Sequence, residues 1–467
     1  MIRPIPFALI LSLTAIPFFV RVADASTLLD PLPENSTTRF GQSVVNLGDV
    51  NGDGVPDLAV AAPFQDGDFV STEASYGKPQ NVGKIFIVDG ATMSVLSLLN
   101  DPGFEFIQPQ HFGGQLGASL STVADLNGDG VADVVAGVPH HVGDPDSDEP
   151  TINAGQAFVF SGKDGSVLFT LADPTAEEDG KMATSVAGLG DVDADGVADI
   201  LVGAPGKDIG GEDGVVNVGL AYIFSGKTGQ VIRTLNHPDE GGAEAGAAFG
   251  TAVANAGDID GDGVSDALIG APGEGQAFVF SGKTGALIFS IVSPFAETVH
   301  SFGAAVAGGK DFNRDRKPDL VIGSPAREGF QGAAYIFNGS NGSLQRTLLP
   351  STRQPFALFG ASLCVSDDLT GDHRPDVAVG APGQNVSGHL QAGAITVFDG
   401  RRGKVFQTLT SAAPQTGGAF GASVAVADFD SNRVDTIVAG TPNKDATIDP
   451  GTGPVPHLAI GQIEIQP

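Results

Sequence analysis

Along most of the chain, short runs of alternating apolar and polar residues are separated by clusters of Gly, Asp, Asn and Pro. "SVVNLGD", "DLAVAAP", "GKIFIVDG" and "SVLFTLADP" are representative. Period-two alternation with β-branched and aromatic enrichment predicts strands, and the clusters between them predict turns. No segment holds a helical period over ten or more residues. The same runs recur in the same order. "GKIFIVDG" returns as "GQAFVFSG", "LAYIFSG", "GQAFVFSG", "AAYIFNG", "GAITVFDG" and "GQIEIQP"; "VAAP" returns as "AGVP", "VGAP", "IGAP", "IGSP", "VGAP" and "AGTP". Phe-Gly stands upstream at Phe40, Phe112, Phe249, Phe302, Phe359 and Phe420, whereas the third copy reads "KMATSVAGLGD" and lacks it.

One unit of four short strands is therefore written seven times, starting near residues 40, 112, 182, 249, 302, 359 and 420. Such units in series predict an all-β, seven-bladed β-propeller, because radial packing buries both faces of every blade. The last unit stops at its third strand, and "TLLDPLPE" at 27–34 matches the fourth-strand ending "TLADPTAE" at 170–177. The N-terminal segment is thus expected to complete the last blade, which removes the exposed strand edge.

Between the first and second strand of each unit lies an acidic loop, D-x-[ND]-x-D-G-x-x-D in its full form. Calcium takes six to eight oxygens in flexible geometry, and calcium loops supply them from alternate positions with a Gly at position 6. Asp49, Asn51, Asp53 and Asp57 fit at positions 1, 3, 5 and 9, with the Val55 carbonyl at position 7. Three further copies are equally complete: Asp125, Asn127, Asp129, Val131 and Asp133; Asp191, Asp193, Asp195, Val197 and Asp199; Asp258, Asp260, Asp262, Val264 and Asp266. A fifth keeps Asp311, Asn313, Asp315 and Asp319 but places Arg316 at position 6. The sixth has Thr370 at position 3 and His373 at position 6, and the seventh, "DFDSNRVDT", is one residue short. Unneutralised, each carboxylate pair would repel by ~1–4 kcal/mol. Repeating that arrangement in blade after blade implies Ca2+ in four loops and in the fifth, with nearby Arg, Lys or His as the alternative source of positive charge in the last three.

Phe-Gly, acidic loop and Gly-Ala-Pro, in this order, resemble the FG-GAP repeats of the integrin α-subunit propeller and its secreted bacterial relatives. The resemblance spans about residues 27–467. It implies a propeller, calcium at the loop positions just named, and partner binding on the face opposite the calcium loops.

Composition adds the setting. The chain has 467 residues, a net charge of −31, one cysteine and no tryptophan. That acidity argues against nucleic acid and anionic membranes as partners. Arg3, the apolar run "IPFALILSLTAIPFFV" and Ala23-Asp24-Ala25 read as a signal peptide over 1–25, leaving 26–467 as a single propeller without a membrane span. Secretion or cell-surface display follows, and with Cys364 alone no internal disulfide can form, so calcium is the expected staple.

The expected function is an extracellular recognition or adhesion module for a protein or carbohydrate, acting as a monomer. The longest loops between second and third strands are "FQDGDFVSTEASYGKPQNV", "HHVGDPDSDEPTIN", "GKDIGGEDGVVNV" and "NKDATIDPGTGPVPHLA", in neighbouring units, and could carry the partner site. Phe64, Phe69 and Tyr76 are candidate anchors there. His140 and His141 with Asp144, Asp146 and Asp148 form a weak metal candidate, since adjacent residues of an extended chain point apart. The alternative is a polysaccharide lyase or hydrolase using the same loops. No catalytic motif supports it: "SGKTG" at 225–229 and 281–285 lacks the upstream Gly spacing and following helix of a phosphate loop, and reads instead as the turn between third and fourth strands.

Overall fold

The computed structural model describes residues 27–29, 38–66, 81–102, 113–142, 151–209, 215–239, 244–296, 299–443 and 462–466. Apart from one four-residue helical turn at Arg327–Phe330, the regular structure there is strand, arranged in four-stranded antiparallel sheets. In the first blade the strands are Val44–Gly48, Asp57–Ala62, Lys84–Val88 and Val95–Asn100, paired in sequence order.

The expected count of seven blades is corrected to six. Six blades each consist of four consecutive strands, the last ending at Leu409. The seventh copy forms no blade of its own. Its strands Val424–Ala427, Thr436–Gly440 and Gln462–Gln466 make a composite sheet with Thr27–Leu29 from the other end of the chain, Leu28 opposite Ile463. The reason lies in the sequence: this copy has a shortened acidic loop and no fourth strand. The composite sheet still joins the first blade, with the Asn46 Nδ2 donating to the Val426 carbonyl at 3.0 Å and the Ser423 hydroxyl to the Gly41 carbonyl at 2.8 Å.

Second and third strands are almost wholly buried, which explains their near-continuous apolar runs, while fourth strands are mostly exposed or half-buried on the rim. The large buried rings come from the Phe of Phe-Gly and from third strands, as where Phe249 meets Phe278 and Phe280 at 5.6 and 5.8 Å. In the second blade the Phe-Gly place is taken by Leu116-Gly117, four residues after the expected Phe112, which lies outside the described residues. Gly117 N–H donates to the Gly137 carbonyl at 3.0 Å, as Gly250 does to Gly270 in the fourth blade. Met182-Ala183 fills the same place in the third blade, Ala183 donating to Gly203 at 2.8 Å. Cys364 is half-buried between the sixth blade and the composite sheet, and burial pushes its thiol up to about 12.

The Gly-x-Pro glycine has a specific task. A Cβ on Gly203 would lie 2.0 Å from the Gly250 carbonyl oxygen of the next blade, and one on Gly270 2.0 Å from that of Gly303. The same approach joins Gly323 to Gly360, Gly380 to Gly421 and Gly440 to Gly41. The two glycines of the signature thus form the seam between successive blades, and that seam passes through both ends of the chain.

Candidate metal loops

Each acidic loop leaves the first strand and returns into the second, so the strand ends fix positions 1 and 9. The position-1 carboxylate accepts backbone N–H groups from the turn it closes. In the first loop Asp49 Oδ1 accepts from Gly52 at 2.7 Å and Asp53 at 3.1 Å, and Oδ2 from Gly54 at 2.8 Å. The hydrogen bond from Gly54 is the largest influence holding the Asp49 carboxyl below its ordinary range, and that from Gly130 does the same for Asp125. Position 3 and position 5 oxygens accept in turn, as Asn51 Oδ1 does from Asp53 N–H at 2.9 Å and Asp53 Oδ1 from Val55 N–H at 2.8 Å.

Position 9 behaves differently. Asp57, Asp133, Asp199, Asp266, Asp319 and Asp376 are fully buried. Asp199 Oδ2 accepts from Val192 N–H in its own loop at 2.7 Å, and Oδ1 from Gly226 N–H in the turn between third and fourth strands at 3.1 Å. The pattern repeats with Asp57 to Val50 and Gly90, Asp133 to Leu126 and Gly162, Asp266 to Ile259 and Gly282, Asp319 to Phe312 and Gly339, and Asp376 to Leu369 and Gly400. These aspartates tie two loops of one blade together. Burial pushes Asp199, Asp266 and Asp319 up to about 6, against the opposing pull of their backbone donors. A cation beside them would reverse that direction by favouring the charged form. The sequence marks these residues as closing ligands but does not reveal the backbone role.

Carboxylate oxygens converge to within 4.8 Å of one another in three loops: Asp191, Asp193 and Asp199; Asp258, Asp260 and Asp262; and Asp368, Asp372 and Asp376. These oxygen sets fit a hard cation. Loops one, two and five carry Asn at position 3, an amide oxygen rather than a third carboxylate. There Asn127 and Asn313 turn their amide nitrogens onto Asp129 at 2.9 Å and Asp315 at 3.1 Å. The sixth loop brings its acids together despite Thr370, and its His373 Nδ1 lies 3.2 Å from Asp368 Oδ2. In the seventh, Asp435 turns away to the sixth blade, accepting from the Ser366 hydroxyl at 2.5 Å, because the shorter loop cannot bring it to position 9.

Position 6 is left-handed in every copy. Gly54, Gly130, Gly196 and Gly263 have φ between 87° and 90°, and Arg316, His373 and Arg433 are held at 70°, 59° and 69°. A side chain there costs about 1–2 kcal/mol of backbone strain. Arg316→Gly is therefore expected to raise stability by about 0.5–1 kcal/mol after the added freedom of the unfolded chain; a lower midpoint in urea unfolding would contradict this.

The "SGK" turns lie against the acidic loops. Lys163 Nζ donates to the Asp129 carbonyl at 2.9 Å and Lys227 Nζ to that of Asp195 at 3.1 Å, so these lysines offset loop charge rather than hold phosphate. On the opposite face, the residue two beyond the Gly-x-Pro proline is polar in the six contiguous blades and is buried in three of them, Gln65, Lys207 and Arg327, a pattern the motif itself does not reveal. Lys207 Nζ sits 3.2 Å from Asp173 and 3.3 Å from Glu177, His237 Nε2 sits 3.1 Å from Glu274, and burial pushes His141 down to about 4. His140 Nδ1 meets Asn153 at 3.1 Å, and Arg39 lies over the Phe64 ring at 4.4 Å. Phe69, Tyr76, Asp144, Asp146, Asp148 and most of the long loops lie outside the described residues, as does the segment read as a signal peptide.

A scan against protein-family models matches the FG-GAP repeat over residues 40–88, 116–160, 182–224, 249–288, 302–337 and 359–398, more than half of the chain. The chain belongs to the FG-GAP repeat family. Each of the six matched FG-GAP stretches covers the first three strands of one of the six contiguous blades, and none covers the seventh copy. Among curated proteins the chain is similar to human integrin alpha-11, 30% identical over 34% of this chain and 15% of that protein. It is also similar to Xenopus laevis integrin alpha-4, 28% identical over 49% of this chain and 22% of that protein, and to Xenopus laevis integrin alpha-5, 25% identical over 68% and 28%. The chain thus spans between 15% and 28% of the length of these relatives. No described helix is long and apolar enough to cross a membrane.

Proposed function

We propose that this FG-GAP propeller is an exported, calcium-stabilised recognition module that binds an extracellular protein. The observation that carries the reading is the agreement of six integrin-like repeats with acidic loops that bring several carboxylate and amide oxygens together at one turn of each blade. Calcium is assigned to loops one to five, at the positions named from the sequence, and the converging acids of loop six extend the set. Its work there is structural: the position-9 aspartates are buried, and the loops fasten first, second and third-to-fourth strand connections within each blade. Residues 1–25 direct export and 26–467 form the working unit.

Recognition falls to the other face, where the loops between second and third strands vary in length. The test is a binding screen of the full chain against extracellular proteins, with calcium present and after chelation. Saturable, calcium-dependent binding to a protein is expected. Depolymerisation of a polysaccharide in the same preparation, without protein binding, would overturn the reading.

A further inference from the structure

Two positions facing away from the acidic loops are left-handed in blade after blade. The first holds Asn153, Asn217 and Gln391, with φ of 54°, 53° and 52°. The second, in the connection to the next blade, holds Asp179, Gly246 and Gly417, with φ of 57°, 81° and 79°. Backbone hydrogen bonds establish the equivalence: Lys181, Ala248 and Ala419, each two residues past the second position, donate to the carbonyl of the first at 2.9, 3.1 and 3.1 Å. Between blades two and three the two side chains join, Asn153 Nδ2 donating to Asp179 Oδ1 at 2.9 Å. Asn, Asp and Gly are the residues that tolerate this conformation.

Between blades five and six both positions are phenylalanine. Leu358 N–H donates to the Phe330 carbonyl at 2.9 Å, which places Phe330 and Phe356 in the same two slots, with φ of 63° and 61°. Their rings stack at 5.7 Å and 14°, yet Phe356 remains 61% exposed. Bulky residues in a strained conformation, left facing water, repay the fold poorly when polar residues serve the same slots elsewhere. Beside them Arg353 and Arg327 share one carboxylate, each 2.6 Å from Glu328, and the Arg327 guanidinium lies 4.1 Å over the ring of Phe295, itself 42% exposed.

The geometry points to a docking site on this patch, resting on the recognition reading above, for a protein segment that presents an apolar side chain beside a carboxylate. Two arginines against one glutamate leave the patch positive on a chain of net charge −31, which fits an acidic flank on the partner. A protein fits better than a sugar because the polar rim is already satisfied: both Glu328 oxygens are taken by arginines, and Gln354 exchanges hydrogen bonds with the Asn385 backbone at 3.0 and 3.1 Å. Little remains for hydroxyl groups, whereas exposed rings ringed by satisfied polar groups match the anatomy of a protein-binding anchor.

The test pans a phage-displayed random dodecapeptide library on the full chain in calcium, then measures the selected peptides against Phe330→Asn/Phe356→Gly, which installs the residues of the other blades. Selected peptides should carry an aromatic or aliphatic residue near Asp or Glu and lose roughly tenfold or more in affinity for the variant, while its melting temperature stays equal or rises. A melting temperature several degrees lower would make the stack structural and overturn the site. Selected peptides that bind the variant unchanged would leave recognition standing but remove this patch. Oligosaccharide binding on a glycan array that the variant loses would replace the protein partner with a sugar, and a library that yields no binder counts against recognition and patch together.

Discussion

Asp199→Ala should cost about 3–5 kcal/mol of unfolding free energy, and Asp266→Ala the same. Each removes a fully buried carboxylate whose two oxygens accept N–H groups from two different loops. Two buried donors are left without partners, at about 1–3 kcal/mol each. Asp199→Asn should recover part of the loss, since its amide oxygen still accepts. Asp193→Ala, at an exposed position 3, should by contrast cost little in chelator and more in calcium. Urea unfolding of the four variants, with and without calcium, separates the two kinds of aspartate. A loss under about 1 kcal/mol for Asp199→Ala would show that the backbone staple contributes little.

The second large effect is expected at the seam between blades. Gly203→Ala and Gly270→Ala each place a methyl group 2.0 Å from a backbone carbonyl oxygen that belongs to the next blade's own hydrogen-bonded turn. Neither side is a flexible side chain, so two blades must part. Overpacking of this kind typically costs about 1–3 kcal/mol, and the upper end is expected here because backbone meets backbone. The first blade is the exception: its seam already holds one Cβ, that of Ala61, opposite Gly117. Gly117→Ala should therefore be as damaging as Gly203→Ala, with a Cβ 2.7 Å from that of Ala61. Wild-type melting temperatures for these variants would break the account of the seam.

Much of this architecture was legible before any coordinates. Strand alternation and the repeated order of Phe-Gly, acidic loop and Gly-x-Pro point to four-stranded blades because each feature has one geometric use per blade. Seven acidic motifs do not make seven blades. The seventh motif lacks one loop residue and a fourth strand, and its sheet is assembled from both chain ends. In the second blade the seam residue, Gly117, follows a Leu rather than Phe112, and in the third it is Ala183 after a Met, so the left-handed turn rather than the Phe-Gly pair is what every blade shares.

At the acidic loops, residue spacing identified which side chains face the turn but not how they divide the work. Burial separates them. Position 9 begins a strand buried on both faces, so its carboxylate has no solvent and must be satisfied by backbone, whereas positions 1, 3 and 5 stay near the surface in the first five loops. Nothing in the motif distinguishes these environments. The Phe330 and Phe356 pair was equally hidden, since their distance in sequence conceals that both occupy left-handed slots facing one another.

Calcium bound in the acidic loops is proposed to hold the propeller together. Differential scanning calorimetry of the full chain in about 1 mM calcium and in excess EGTA tests it directly. With four or more sites of the extracellular kind, at dissociation constants near 10⁻⁴ M, linkage gives ~1.4 kcal/mol per site and a fall on the order of 5 °C in melting temperature upon chelation. The same melting temperature in both buffers would contradict it.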